Sequence, residues 1–250
     1  MIDCHCHLLF GIDDGPETLE GAVVMARILA GHGFSEVYCT PHCISGLYEN
    51  TPAIVRDRVA RLQQALDLAE IPLRLWPGME YYLDSRFFEE LPDLQPLGQS
   101  RLLLVEAPNW AGCDLIVENI RQIVASGYVP LIAHPERCNL IVAPEPDEGL
   151  WARARRWFGG GVSKPPSDLL SQLQGLGCLF QGNLGSFAGR YGKLVEKRAV
   201  ALLEAGLYSC LGSDSHPLPG LEIMISDGIE KVSRLTPDHR QLLSAGRLFI

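Results

Sequence analysis

Seven short segments rich in apolar and β-branched residues alternate with longer segments of helical periodicity along the 250-residue chain. Connections between parallel strands are usually helices, so this alternation predicts an α/β fold, built on a parallel barrel or an open doubly wound sheet. The predicted strands are 1–7, 36–42, 73–82, 101–108, 129–136, 177–183 and 208–216. The predicted helices include 19–33, 51–69, 113–127 and 189–206.

No composition break or linker divides the chain. With 47% hydrophobic and 20% charged residues, it can bury one large core. We therefore expect a single domain over residues 1–250. An irregular insertion is expected at about 145–168, where a triple glycine and a proline pair interrupt the pattern.

Net charge and hydropathy exclude several kinds of partner. The formal charge of −9 argues against general binding to nucleic acid or anionic membranes, which needs a basic surface. The N-terminus lacks the pattern of a signal peptide, and no apolar run approaches the ~18–20 residues of a membrane span. We expect a cytoplasmic protein without membrane insertion, whose eight cysteines are reduced and packed as small apolar side chains.

Histidine and acidic residues recur where the predicted strands end. The carboxyl ends of parallel barrel strands meet at one face, where the connecting loops converge on one cavity. Each residue alone is typical of an ordinary polar strand terminus, but the repeated placement indicates a shared site. The residues are His5, His7, His42, Glu80, Glu106, His134, Asp214 and His216.

The alternation of the first strand separates its imidazoles from its thiols. Successive side chains of a strand point to opposite faces, so Asp3, His5 and His7 share one face. We expect the imidazoles to face the mouth of the barrel, and Cys4 and Cys6 to face the helices.

So many ionisable groups at one end of a sheet need a compensating positive charge. A group of divalent metal ions supplies it. Imidazole and carboxylate ligands without cysteine suit manganese, iron or zinc better than calcium or a structural thiolate zinc site. The same grouping argues against a non-enzymatic regulator, because a folded core has no need for that many buried ionisable groups.

A series of motifs runs through nearly the whole chain: DCHCHLLFGIDDGPETLE, TPH, GMEYY, LVEAP, AHPER, QGNLGSFAGRYG and GSDSH. This ordered set resembles the polymerase and histidinol phosphatase (PHP) family. More narrowly, it resembles the bacterial protein-tyrosine phosphatases that accompany capsule and exopolysaccharide tyrosine kinases. The resemblance implies a distorted seven-stranded (β/α)7 TIM-like barrel with a three-metal site at its mouth.

The resemblance also implies which residues hold the metals. The first metal would be bound by His5, His7, Glu80 and Asp214. The second would share Glu80 and add Glu106 and His134. The third would be bound by Asp14, His42 and His216. Manganese is the expected metal, with up to three divalent ions, and iron and zinc are the alternatives.

The implied activity is metal-dependent hydrolysis of phosphotyrosine on a protein. The implied partner is the phosphotyrosine-containing tail of a bacterial tyrosine kinase that controls capsule or exopolysaccharide synthesis. Arg137 is the candidate catalytic residue, as a bidentate clamp on the phosphate; the alternative is an ion pair with Glu136 or a place at the surface. The alternative function is hydrolysis of a small phosphomonoester such as histidinol phosphate.

Two features depart from the family pattern. The arginine expected shortly after the SDSH motif is missing from 216–224, and Arg190 and Lys193 are candidates to replace it in substrate binding. The stretch from Arg137 to Gln181 is also longer than expected. Its cationic and aromatic residues form either a rim for an acidic kinase tail or a solvated helix packed on the barrel. They are Trp151, Arg153, Arg155, Arg156 and Trp157.

Overall fold

The computed structural model describes residues 1–89, 93–142, 169–244 and 248. Its strands are β1 (Ile2–Cys6), β2 (Glu36–Cys39), β3 (His42–Cys43), β4 (Arg74–Pro77), β5 (Glu80–Tyr82), β6 (Leu102–Glu106), β7 (Val129–Ala133), β8 (Leu179–Asn183) and β9 (Cys210–Gly212). Its α-helices are α1 (Leu19–Gly31), α2 (Pro52–Leu68), α3 (Cys113–Ala125), α4 (Leu169–Gly175), α5 (Leu184–Phe187), α6 (Lys193–Glu204), α7 (Leu221–Leu235) and α8 (His239–Leu242).

The strands form two parallel sheets. One has the order β1-β2-β4, and the other has the order β3-β5-β6-β7-β8-β9. Every pairing between named strands is parallel. The expected α/β fold with parallel strands and helical connections is therefore confirmed. None of the helices in the described ranges is long and apolar enough to cross a membrane.

Two of the predicted strands are each broken into two, and at each break the chain passes from the first sheet to the second. Pro41 separates β2 from β3, and it has no N–H to donate to a neighbouring strand. Gly78 lies in the break between β4 and β5, where a Cβ would come 2.8 Å from a methyl carbon of Leu97. Hydrogen bonds continue beside the breaks, from Gly78 N to Cys39 O (2.9 Å) and from Glu80 N to Pro41 O (3.0 Å).

Both faces of the sheets are covered by apolar side chains, as expected for buried parallel strands. Leu103 and Val105 of β6 belong to the large cluster that also contains the buried helix residues. Leu102 and Leu104, which alternate with them, belong to a second, smaller group, which we call the inner cluster. Its buried members are Cys4, Tyr38, Leu97, Leu102, Leu104, Leu131, Ala133 and Cys210.

The prediction for the first strand was correct for Cys6 and wrong for Cys4. Cys6 packs in the large cluster, whereas Cys4 lies in the inner cluster with its sulfur 3.2 Å from that of Cys210. The cause is a register shift between Asp3 and Cys6 in the pairing with β2, which interrupts simple alternation. No disulfide joins the eight cysteines, all of which lie within the described residues, and seven of them are buried.

Two helix predictions need correction. The helix predicted over 189–206 begins only at Lys193, after Gly192 in a left-handed conformation (φ +89°). The sequence reading also omitted α7, although its buried residues follow helical spacing from Leu221 through Met224, Ile225 and Val232. The expected insertion at about 145–168, with its tryptophans and arginines, lies outside the described residues.

Candidate metal centre

The predicted ligand residues meet at the carboxyl ends of the strands. His5 lies late in β1 and His7 follows that strand, while Glu106 ends β6 and His134 follows β7. Four groups of side chains bring potential ligand atoms within 4.8 Å of one another, and together they contain all nine residues expected from the sequence. These groups are His7–Asp14–His42–His216, His5–His7–Glu80, His5–His134–Asp214 and His42–Glu80–Glu106.

Glu80 is the carboxylate on which the imidazoles converge. Its Oε2 lies 3.2 Å from Nε2 of His5, 3.2 Å from Nε2 of His7 and 3.1 Å from Nδ1 of His42. Its Oε1 lies 3.1 Å from Nε2 of His134. The side chain is 1% exposed, so this carboxylate is withdrawn from bulk water.

Asp214, which follows β9, approaches the imidazoles of His5 and His7. Its Oδ1 lies 3.4 Å from Nε2 of His5 and 3.3 Å from Nε2 of His7. Strand β9 comes this close to β1 because residue 212 is glycine: a Cβ there would lie 2.7 Å from Cβ of His5. Asp214 and His134 are also among the few non-glycine residues with positive φ, at +48° and +31°. Such conformations cost energy and are typical of functional positions.

Asp14 gives the site its outer edge. Its Oδ1 lies 3.2 Å from Nε2 of His216 and 3.8 Å from Nε2 of His42, and its side chain is 48% exposed. This grouping contains the three residues expected for the third metal, with His7 added. The other groupings distribute Asp214 and Glu106 differently from the expected sets, so the assignment of ligands to individual metals stays a prediction.

The pKa values of the imidazoles reflect the surrounding carboxylates. Burial alone would lower the pKa of His5, but Glu80 and Asp214 raise it to about 9. Burial likewise opposes ionisation of Glu80, yet His5 and His42 hold the pKa of that carboxyl well below its usual range. In contrast, the pKa of Glu106 is raised to about 7, mainly because the carboxyl is buried and also because the charge of Glu80 repels it.

The donor set fits divalent cations. Oε2 of Glu80 and Nδ1 of His42 are buried and lie 3.1 Å apart, but within the described part of the chain they form no hydrogen bond with each other or with any other group. Both atoms face the same cluster of imidazoles, so the chain does not satisfy them by itself. A cation among these nitrogen and carboxylate donors would satisfy both atoms, and such donors suit zinc, iron and manganese.

A second layer of side chains orients the imidazoles. Asp13 accepts hydrogen bonds from Nδ1 of His7 (2.8 Å) and from the backbone N of His42 (3.1 Å). Gln181 Oε1 lies 2.8 Å from Nδ1 of His5. These contacts leave Nε2 of His5 and His7 directed at Glu80. The sequence reading assigned a role only to the second aspartate of GIDDG, although a carboxylate beside metal-binding histidines commonly orients one of them.

Arg137 joins the cluster through Asp214 and not through Glu136. Its Nη1 donates to Oδ2 of Asp214 at 2.6 Å, and its guanidinium lies 4.5 Å from the ring centroid of Tyr191. Glu136 is instead fully buried and accepts hydrogen bonds from Asn183 N (3.0 Å) and the Tyr208 hydroxyl (2.9 Å). The ion pair with Glu136 that the sequence left open is therefore wrong, and the role of Arg137 as a phosphate clamp stays a prediction.

An open cleft of about 670 Å³ exposes this cluster. Arg137 and Arg190 both line it, whereas Lys193 is not among the described lining residues. Tyr82, Leu47 and Leu218 give the cleft apolar surface. The arrangement can therefore receive an anionic group beside Arg137 and an apolar group next to it. The aromatic lining was not anticipated from the sequence.

Comparisons with known proteins relate the chain to one family. A family model described as capsular polysaccharide synthesis, CpsB/CapC, matches residues 1–147. The tyrosine-protein phosphatase YwqE of Bacillus subtilis is 31% identical over 218 residues, which cover 86% of this chain and 77% of that protein.

Solved structures match over most of the chain. One, from a study of YwqE from Bacillus subtilis and CpsB from Streptococcus pneumoniae as unique metal-dependent tyrosine phosphatases, has a TM-score of 0.76 and 28% identity, and the match covers 98% of this chain and 95% of that one. A histidinol phosphate phosphatase from Lactococcus lactis, solved with zinc, L-histidinol and phosphate, has a TM-score of 0.52 at 14% identity, with 94% and 93% covered. This second likeness concerns the fold alone.

Proposed function

The chain belongs to the CpsB/CapC family of capsular polysaccharide synthesis proteins, and on that premise we propose that it is a metal-dependent phosphatase that hydrolyses phosphotyrosine on a protein. The observation that carries the proposal is the presence of the imidazole and carboxylate cluster and of Arg137 in one open cleft. A cation-binding cluster beside an arginine is the arrangement that phosphoryl transfer requires.

The chain's own residues have distinct tasks in this reaction. Divalent ions, when bound, neutralise charge on the phosphoryl group and activate water for in-line attack. Arg137 has five N–H donors, of which one bonds Asp214, so the others are available to bind phosphoryl oxygens. The ion pair with Asp214 and the ring of Tyr191 fix the guanidinium in place. The leaving group is a phenol of pKa ~10, which lessens the need for a dedicated general acid.

We propose that the ligands are the nine clustered residues and that the metals are up to three divalent ions, manganese foremost, with iron or zinc as alternatives. Four of these residues are carboxylates, so three divalent ions would leave a positive balance that attracts phosphate to an otherwise acidic chain. The nine residues are His5, His7, Asp14, His42, Glu80, Glu106, His134, Asp214 and His216. Arg190 is proposed as a further substrate contact because it lines the cleft. Lys193 is also proposed as a substrate contact, and its only support is its position as the first residue of α6, close to Arg190 in the sequence.

We propose further that the two sheets are parts of one distorted seven-stranded (β/α)7 barrel in a single domain. Three contacts support closure between the sheets. Cys6 and Ser215 form an isolated parallel bridge, and Asp214 N donates to His5 O at 2.7 Å. Ser213 N, which follows β9, also donates to Oδ1 of Asp3 in β1 at 2.8 Å.

The proposed partner is the phosphotyrosine-containing tail of a bacterial tyrosine kinase. The family description, capsular polysaccharide synthesis, supports a protein substrate from that process. The acidic character of the chain gives no support to nucleic acid as an alternative substrate.

The test is the manganese-dependent rate of phosphate release from a phosphotyrosyl peptide, measured beside a phosphoserine peptide and histidinol phosphate, with chelated enzyme as the blank. We expect fast release from the phosphotyrosyl peptide and its loss on chelation. Preference for histidinol phosphate would instead support the alternative function, hydrolysis of a small phosphomonoester. Absence of metal-dependent release from all three substrates would contradict the proposal.

A further inference from the structure

Trp110 is a large aromatic side chain left exposed beside the cleft. It is 67% exposed, in the loop between β6 and α3. Its indole N–H donates to the hydroxyl of Tyr82 at 2.9 Å, and the two ring centroids lie 6.3 Å apart with their planes tilted by 46°. Tyr82, the last residue of β5, itself lines the cleft. We call Tyr82 and Trp110 the aromatic pair.

The loop that carries Trp110 is tied to the segment that carries Arg137. The side-chain amide of Asn109 donates to the backbone O of Arg137 at 3.4 Å. The same side chain accepts a hydrogen bond from the backbone N of Asn139 at 2.8 Å. Two hydrogen bonds therefore tie the loop of Trp110 to the segment that carries Arg137, the proposed phosphate clamp.

This arrangement is suited to an aromatic ligand. Tryptophan exposed at a concave site is typical of binding surfaces, because it offers a large rigid apolar area at a low cost in side-chain entropy. Two tilted rings offer both faces and edges, and such contacts contribute beyond the area they bury. Tyr82 connects this surface to the cleft that holds Arg137.

We propose that the aromatic pair binds the ring of the substrate's leaving group and thereby selects aryl over alkyl phosphates. The inference rests on the proposed function, since it assumes that Arg137 and the metal ligands hold the phosphoryl group. In phosphotyrosine a single oxygen separates phosphorus from the ring, so a phosphoryl group held there brings the ring against the side chains that line the same cleft. Phosphoserine has no ring to place against them.

The test is binding of two non-hydrolysable probes, phenylphosphonate and methylphosphonate, to the metal-loaded protein by calorimetry. Trp110→Ala is expected to weaken the affinity for phenylphosphonate about tenfold and to leave the affinity for methylphosphonate unchanged. Trp110→Phe keeps a ring and should restore part of the lost affinity. Phe88→Ala is the matched control, because Phe88 is 37% exposed and, unlike Trp110, has no hydrogen bond or ring contact with a cleft-lining residue in the described part of the chain.

Equal binding of phenylphosphonate by wild type and Trp110→Ala would overturn the proposal. So would a loss that appears only with a whole protein substrate, since Trp110 would then contact the partner protein and not the ring. The proposed function has a separate test. It is contradicted if the wild-type protein releases no phosphate from a phosphotyrosyl peptide, whatever the ratio of the dissociation constants of the two phosphonates. Conversely, the wild-type protein could hydrolyse that peptide while Trp110→Ala keeps the wild-type ratio of the two dissociation constants. That result would support the proposed function and exclude the aromatic pair from ring binding.

Discussion

The inner cluster and the metal centre are built on the same strands and have opposite chemistry. Along β6 and β7, Leu102, Leu104 and Leu131 supply apolar side chains, and Glu106 and His134 follow them at the carboxyl ends. The side chains of the inner cluster are stabilised by packing on one another. The metal centre instead holds buried atoms without hydrogen-bond partners, Glu80 Oε2 and His42 Nδ1 among the described residues. The difference indicates that side-chain packing stabilises one end of the sheets, whereas the proposed cations would complete the other end.

The largest expected effect separates the two ends by chemistry. Glu80→Gln removes the carboxylate on which four imidazoles converge, so we expect metal content to fall and kcat/KM on a phosphotyrosyl peptide to drop at least about 100-fold. Metal analysis and steady-state kinetics measure this. Glu118→Gln, at an exposed position of α3, is the control. A variant that kept full metal content would contradict the central place of Glu80.

Leu131→Ala should show the opposite pattern. Leu131 is fully buried in the inner cluster, so its truncation leaves a cavity and lowers the free energy of unfolding by about 2–5 kcal/mol. The folded fraction should keep its metal content and its kcat. Denaturant titration and metal analysis check both statements. Loss of metal at full stability would break the division between the two ends.

Metal removal should make stability depend on pH through His5. In the chelated protein its folded-state pKa of about 9 exceeds the ordinary value of 6.5. The stability it contributes is full below pH 6.5 and is lost as pH rises through 9, by about 3 kcal/mol. Denaturation at a series of pH values with chelator measures this. His5→Gln should flatten the curve, and an equally steep curve in that variant would contradict the assignment.

Asp13→Asn tests the layer behind the ligands. The amide still accepts a hydrogen bond but removes the negative charge beside His7, so we expect metal affinity to fall about 10–100-fold without loss of fold. Metal titration of the chelated protein gives the dissociation constants. Asp57→Asn, at an exposed position of α2, should leave them unchanged. Unchanged affinity in Asp13→Asn would reduce Asp13 to a purely structural role.

The smallest effect is expected at Tyr191. Its ring lies 4.5 Å from the Arg137 guanidinium, and loss of that contact should raise KM for a phosphotyrosyl peptide about threefold to tenfold in Tyr191→Leu, with kcat less affected. Tyr191→Phe retains the ring and should restore KM. If both variants raised KM equally, the hydroxyl rather than the ring would be the positioning element.

The sequence was sufficient for the elements that depend on local periodicity and for the residues at strand ends. All seven β segments and the helices α1 to α3 fall where apolar spacing predicts them. The clustering of the histidines and carboxylates followed from the rule that parallel strands end at one face. The omission of α7 was avoidable, because its buried positions repeat at helical spacing.

Other features depend on contacts between distant segments. The place of Cys4 in the inner cluster follows from a register shift against β2, which no local pattern announces. Pairing of Arg137 with Asp214 rather than the adjacent Glu136 depends on how β7 and β9 lie in space. The contact between Tyr82 and Trp110 likewise joins the end of β5 to the loop between β6 and α3. Local residue spacing contains no information about such distances.

The contact between β1 and β9 also determines when the centre exists during synthesis. His5 and Asp214 come together only through pairing of segments more than 200 residues apart, as the neighbouring bond from Ser213 to Asp3 spans 210 positions. Closing so long a loop is entropically costly and is slow compared with local structure. A chain still emerging from the ribosome, or one cut before β9, lacks Asp214 and His216 and so has an incomplete cation site. The proposed activity would thereby be restricted to chains whose first and last strands have met.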